Sequence, residues 1–140
     1  MTSRDESSTA LNTKNLHLIV STIVIAPVAL AYGFFPARVA TEVFHTNVDT
    51  VGAVHLFRVL MTLYLCITAL WSAGIFKPGY WQAATLTNVV FMGGLASGRL
   101  ISFVVDGVPS PILVVGFGLE VVLAMWGLIN LKKYGKSQAI

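Results

Sequence analysis

The sequence of 140 residues is 56% hydrophobic and 11% charged, with a net charge of +3, whereas an ordinary soluble domain is about 25% charged. With a mean hydropathy of +0.79, that balance excludes a disordered chain and leaves too little polar surface to cover a soluble enzyme. A single cysteine, Cys66, excludes an intrachain disulfide framework and a cysteine zinc site. The class that remains is an all-α integral membrane protein.

Residues 1–15 carry four charges of mixed sign and read as a polar tail. Four apolar runs follow, at about 16–35, 51–76, 81–105 and 111–131, each near the roughly 20 residues that cross hydrocarbon as a helix. Together they make one four-span domain over 16–131, closed by a basic tail at 132–140. The first run contains Pro27, which frees the carbonyl of Ile23 and predicts a kink. A secretory leader with Ala29-Leu30-Ala31 as its cleavage site is the rival reading of this run. Its weakly charged start and its continuation through Tyr32, Phe34 and Phe35 favour a span.

Between the first two runs, residues 36–50 are too polar to cross. Ala37, Ala40, Phe44 and Val48 recur at helical spacing, which fits a short surface helix or an irregular loop. Lys77-Pro78-Gly79 joins the second and third runs. Asp106-Gly107 with Pro109 and Pro111 predicts a tight turn between the third and fourth, with Ser110 as N-cap and Pro111 as first helical residue.

Four crossings put Arg4, Lys14, Lys77, Lys132, Lys133 and Lys136 on one side, against Arg38 alone on the other. The positive-inside rule then predicts a protein of the inner, cytoplasmic membrane with both termini in the cytoplasm. Bases spread so thinly around membrane ends do not point to nucleic acid. Trp71, Phe76, Tyr80 and Trp81 at one boundary, and Tyr32, Phe34 and Phe35 at the other, read as aromatic belts.

Three charges remain inside the runs: Arg58, Arg99 and Glu120. Each costs about 2.5–3.5 kcal/mol at a helix centre and therefore seeks a partner or a cavity. Counted at 1.5 Å per residue, all three lie roughly 10–14 Å below the outer boundary. The expected arrangement sets Glu120 between the two arginines. Thr85, Asn88, Met92, Ala96, Arg99 and Ser102 share one helical face, Gly116, Glu120, Ala124 and Gly127 a second, and His55, Arg58 and Thr62 a third. Gly94 and Gly98 form a small-xxx-small pair that permits close packing, against another protomer if not within the chain. Two arginines against one glutamate leave a positive charge that Asp106, a lipid phosphate or an anionic ligand would meet.

Other signals are weaker. Glu42 and His45, with His55 ten residues on, supply one copy of a pattern that a carboxylate-bridged metal site needs twice; neither a metal nor a cofactor is expected. His17 reads as interfacial and Cys66 as a small apolar filler. Gly116-x-Gly118 lacks the context of a dinucleotide site.

The stretches Phe57-Arg58-Val59-Leu60-Met61, Val90-Phe91-Met92 with Gly94-Leu95-Ala96 and Gly98-Arg99, Asp106-Gly107 with Pro109-Ser110-Pro111, and Glu120 resemble a family of small four-helix bacterial membrane proteins, the DUF4345-like domain of unknown function. The resemblance covers about Leu16 to Leu131 and implies an intact first helix, but it supplies no activity. Three functions therefore stand. The first is a non-enzymatic accessory or scaffold protein that packs against membrane subunits or a second copy of itself. The second is a binder or transporter of a small anionic or amphiphilic, lipid-like molecule, with Arg58, Arg99, Glu120, His55, Asn88, Ser102 and Asp106 as candidate ligand residues. The third is a membrane enzyme with Glu120 as acid or base.

Overall fold

In hydrocarbon every backbone N–H and C=O must be satisfied within the protein, so apolar runs of bilayer length fold as helices. The computed structural model describes residues 13–135. It contains α1 (Leu16–Phe34), α2 (Pro36–Glu42), α3 (Val51–Phe76), α4 (Trp81–Val105) and α5 (Pro111–Tyr134), with 3-10 turns at Thr13–Asn15 and Pro78–Tyr80. Helices α1, α3, α4 and α5 are each long and apolar enough to cross a membrane. The fold is an all-helical, four-helix membrane bundle, and the expected spans return with ends shifted by no more than three residues. Of the expected tails, residues 1–12 and 136–140 lie outside the described residues; residues 132–134 continue α5.

The boundaries follow local chemistry. Thr50 caps α3 by accepting the Ala53 N–H at 3.2 Å. Pro36 and Pro111 open α2 and α5, where a missing N–H costs nothing. Gly107 turns the chain after α4 at φ 97°, a conformation that needs glycine. Ser110 occupies the N-cap position of α5, but its hydroxyl does not cap the helix. It donates instead to the Val43 carbonyl at 3.2 Å, tying the α4–α5 turn to the α1–α3 connection. In that connection only residues 36–42 are helical; Phe44 then packs on Tyr32 and Phe57, with ring centroids 6.2 and 6.1 Å away.

Helix α1 packs along α3 and α4 along α5; α3 also meets α4, while α1 and α5 touch sparsely. Close approach depends on Gly33 against Met61, Gly74 against Ala84, and Gly127 against Val89 and Asn88. The expected Gly94–Gly98 contact is not made within the chain: a Cβ on either residue would meet nothing within 4 Å. The inward face of α4 is taken by Thr85, Asn88, Met92 and Ala96, and the glycine pair lies off that face. Pro27 is exposed, and α1 runs unbroken through it.

The expected aromatic belts are also corrected. Trp71 and Trp81 are buried, Trp71 edge-on to Phe91 at 5.6 Å, and Tyr32 lies among Phe44, Phe57 and Tyr64. Phe34, Phe35, Phe76 and Tyr80 stay exposed at the helix ends. The larger rings fill the interior because four helices carrying many small residues leave wide gaps between them.

These contacts separate two classes of glycine. Gly74→Val is expected to lower the thermal midpoint in detergent, by overpacking worth about 1–3 kcal/mol. Gly94→Ala is expected to match wild type or exceed it, since alanine favours a helix by about 1 kcal/mol. Equal losses in both variants would contradict the packing described.

Candidate functional site

Helices α4 and α5 are joined by a five-residue turn (106–110), so they run antiparallel, and residues within a few positions of equal distance from that turn lie side by side. Arg99 and Glu120 meet for this reason. The Arg99 Nε–H donates to both carboxylate oxygens of Glu120, at 3.0 Å to Oε1 and 2.9 Å to Oε2. The Glu120 side chain is 8% exposed and that of Arg99 24%. The two Nη groups of Arg99 have no protein partner among the described residues, and Nη2 lies over Gly116, 3.9 Å from where a Cβ would stand. A larger residue at 116 would crowd that guanidinium.

The pair forms the polar wall of a cavity of about 320 Å³ between α1 and α5, floored by Met92 and Leu123 and roofed by Val39 and Val43. Its other polar groups are the hydroxyls of Tyr32 and Tyr64; the rest of the lining is aliphatic. The sparse packing of α1 against α5 leaves room for it.

Arg58 is not part of this cluster. It is exposed on the opposite side of α3, together with His55 and Thr62, beside a groove that includes Asp49. The expected three-charge layer fails on the rotation of α3. That helix turns Phe57, Tyr64, Thr68, Trp71 and Ile75 toward the bundle, and its rings interlock with Tyr32 and Phe91. Burying this stripe forces the polar face outward. Without Arg58 the pair carries no net charge, so the expected positive surplus is absent.

The remaining candidates are scattered. Ser102 donates to Asp106 Oδ2 at 2.6 Å, and both residues are exposed at the end of α4. Glu42 pairs with Arg38 at 2.8 Å on α2, and that hydrogen bond holds the Arg38 guanidinium above its ordinary pKa. Asn88 is fully buried, eleven residues and so roughly 16 Å along α4 from Arg99. Its Oδ1 lies at Gly127, where His17 Cδ2 also packs.

Asn88 thus belongs to a second polar region, near the Pro78–Tyr80 turn, that sequence reasoning missed. His17, expected at the interface, is fully buried there. Its Nδ1 accepts from Asn130 Nδ2 at 2.9 Å, and the same amide lies 3.4 Å from the Lys14 carbonyl. Asn15 Nδ2 donates to the Ile75 carbonyl at 3.2 Å. These bonds fasten the start of α1 to the ends of α3 and α5. The signal was uncharged: His17, Asn88 and Asn130 are the strongly polar neutral side chains at one end of three apolar runs.

The model of the family described as a domain of unknown function, DUF4345, matches residues 13–131. No curated protein and no solved structure matches the chain.

Removing one member of a buried ion pair strands the other charge, at a cost of about 3 kcal/mol. Arg99→Met and Glu120→Leu are therefore each expected to destabilise strongly, while the double variant recovers much of the loss. Unfolding midpoints for the four proteins of the cycle provide the check; additive losses would contradict the pairing.

Proposed function

The chain belongs to the DUF4345 family, which carries no assigned activity, and from its own geometry we propose that it binds an uncharged amphiphile, such as a single-chain lipid, in the cavity between α1 and α5. One observation carries the reading: an aliphatic cavity of about 320 Å³ has hydrogen-bonding groups only at Arg99, Glu120, Tyr32 and Tyr64. Small-molecule sites have this composition, an apolar lining with a few convergent polar groups, and begin at about 300 Å³.

Electrostatics selects the head group. Glu120 already neutralises Arg99, so an anion entering the cavity would face a carboxylate as well as a guanidinium. An uncharged hydroxyl or ester head accepts from the free Nη groups without adding charge to a low-dielectric site. The chain of the ligand lies against Val24, Val28, Leu119 and Leu123, surfaces that acyl carbon matches. The loose seam between α1 and α5 gives a route from the bilayer, so the ligand need never leave the membrane. The basic residues near the Pro78–Tyr80 turn and at the end of α5 favour that end as cytoplasmic, which places the cavity in the outer half.

The test uses protein equilibrated with equal amounts of monododecanoylglycerol and dodecanoate in mild detergent, with retention read by native mass spectrometry. One uncharged ligand per chain is expected in preference to the anion. Gly116→Leu and Leu95→Trp, which fill the cavity from two walls, are each expected to reduce retention about tenfold, a loss of roughly 1.4 kcal/mol of binding. Retention unchanged in both variants, or preference for the anion, would overturn the reading.

A further inference from the structure

A charge facing hydrocarbon is costly unless something meets it, and Arg58 is such a charge. It projects from the exposed side of α3, with no ion pair or side-chain hydrogen bond to any described residue. It lines a groove of about 370 Å³ together with His55, about one turn nearer the start of α3, and Asp49. Asp49 lies in the connection before α3, and Arg58 seven residues into that helix, roughly 10 Å deeper along its axis. The cation and the anion share one groove but do not pair with each other; no bridge within 4 Å joins them.

We propose that this groove seats the head group of a phospholipid with a primary ammonium, its phosphate on Arg58 and His55 and its ammonium on Asp49. The order of the charges matches. In a leaflet the phosphate lies next to the hydrocarbon and the ammonium further out, as Arg58 and Asp49 do. The guanidinium fork suits phosphate oxygens, and the arginine stem is long enough to lift its head toward the interface. A lipid with an anionic head and no ammonium would leave Asp49 against a hydroxyl or a second negative group. A quaternary ammonium has no N–H to donate to it. The site faces the bilayer from α3 and is separate from the α1–α5 cavity, so it stands whether or not that cavity holds an amphiphile.

The experiment equilibrates the full chain with vesicles of equal parts phosphatidylethanolamine, phosphatidylglycerol and phosphatidylcholine bearing identical acyl chains. Retained lipid is then read by native mass spectrometry. Wild type is expected to keep phosphatidylethanolamine over either competitor by about tenfold, the scale of one charge-assisted hydrogen bond. Arg58→Gln is expected to lose retention of all three lipids, and Arg58→Lys to keep part of it. Asp49→Asn is expected to lose the preference while still holding phosphatidylglycerol. Gly116→Leu, which fills the other cavity, is expected to leave this retention unchanged. Helicity and thermal midpoint, expected to be the same for wild type and the Arg58 variants, keep a folding defect from mimicking the result. The proposal is overturned if Arg58→Gln retains the wild-type lipid pattern, or if wild type shows no preference for phosphatidylethanolamine. It is equally overturned if inorganic phosphate alone displaces the lipid, or if Arg58 variants change only the ratio of dimer to monomer.

Discussion

A buried charge in hydrocarbon requires a partner, and much of this bundle can be read from the one pair that meets the requirement. Glu120 and Arg99 satisfy that requirement across the α4–α5 hairpin with two bonds from one Nε–H, at 2.9 and 3.0 Å. The pair joins the two helices, and its guanidinium lies beside Gly116. It also places hydrogen-bond donors on the wall of an otherwise aliphatic cavity.

The two ends of the bundle are unlike each other. Near the Pro78–Tyr80 turn, His17, Asn130 and Asn15 fasten α1 to α5 and α3, while Gly74 and Gly127 let the helices approach closely. At the opposite end no comparable polar contact joins α1 to α5 among the described residues. Aromatic packing of Tyr32, Phe44, Phe57 and Tyr64 holds α1 to α3 there and leaves α5 apart. A bundle fastened at one end and parted at the other has a cavity only where it is parted. Its depth is set by Met92 and Leu123, which lie between the polar clasp and the ion pair.

The helices were legible in the sequence because hydropathy over a bilayer length is a strong one-dimensional signal. The Arg99–Glu120 pair was legible because the short Asp106-to-Ser110 turn makes depth along α4 and α5 interchangeable. Arg58 was misplaced because equal depth says nothing about rotation. His55, Arg58 and Thr62 lie opposite the aromatic stripe of the same helix, and that stripe takes the inward side through its ring contacts with Tyr32 and Phe91. Gly94 and Gly98 pack against no helix among the described residues for a related reason: small residues allow close packing but do not summon it. Asn130 goes unmarked in the sequence, and His17 reads there as interfacial, because their pairing spans 113 residues and involves no charge, so neither spacing nor composition marks it.

The chain is a four-helix membrane protein of the DUF4345 family with an ion pair beside a cavity and an exposed arginine beside a groove, and it is at these two places that we propose it binds its ligands. If the cavity takes an amphiphile from the bilayer, it belongs to the lipid phase while the clasped end does not. Nuclear Overhauser contacts between lipid acyl protons and protein methyl groups in nanodiscs measure this most directly. Cross-peaks are expected to Leu119 and Leu123 inside the cavity, as well as to the exposed Val104 and Ile129, and none to the buried Leu18. Acyl contacts confined to Val104 and Ile129, with Leu123 as silent as Leu18, would contradict it.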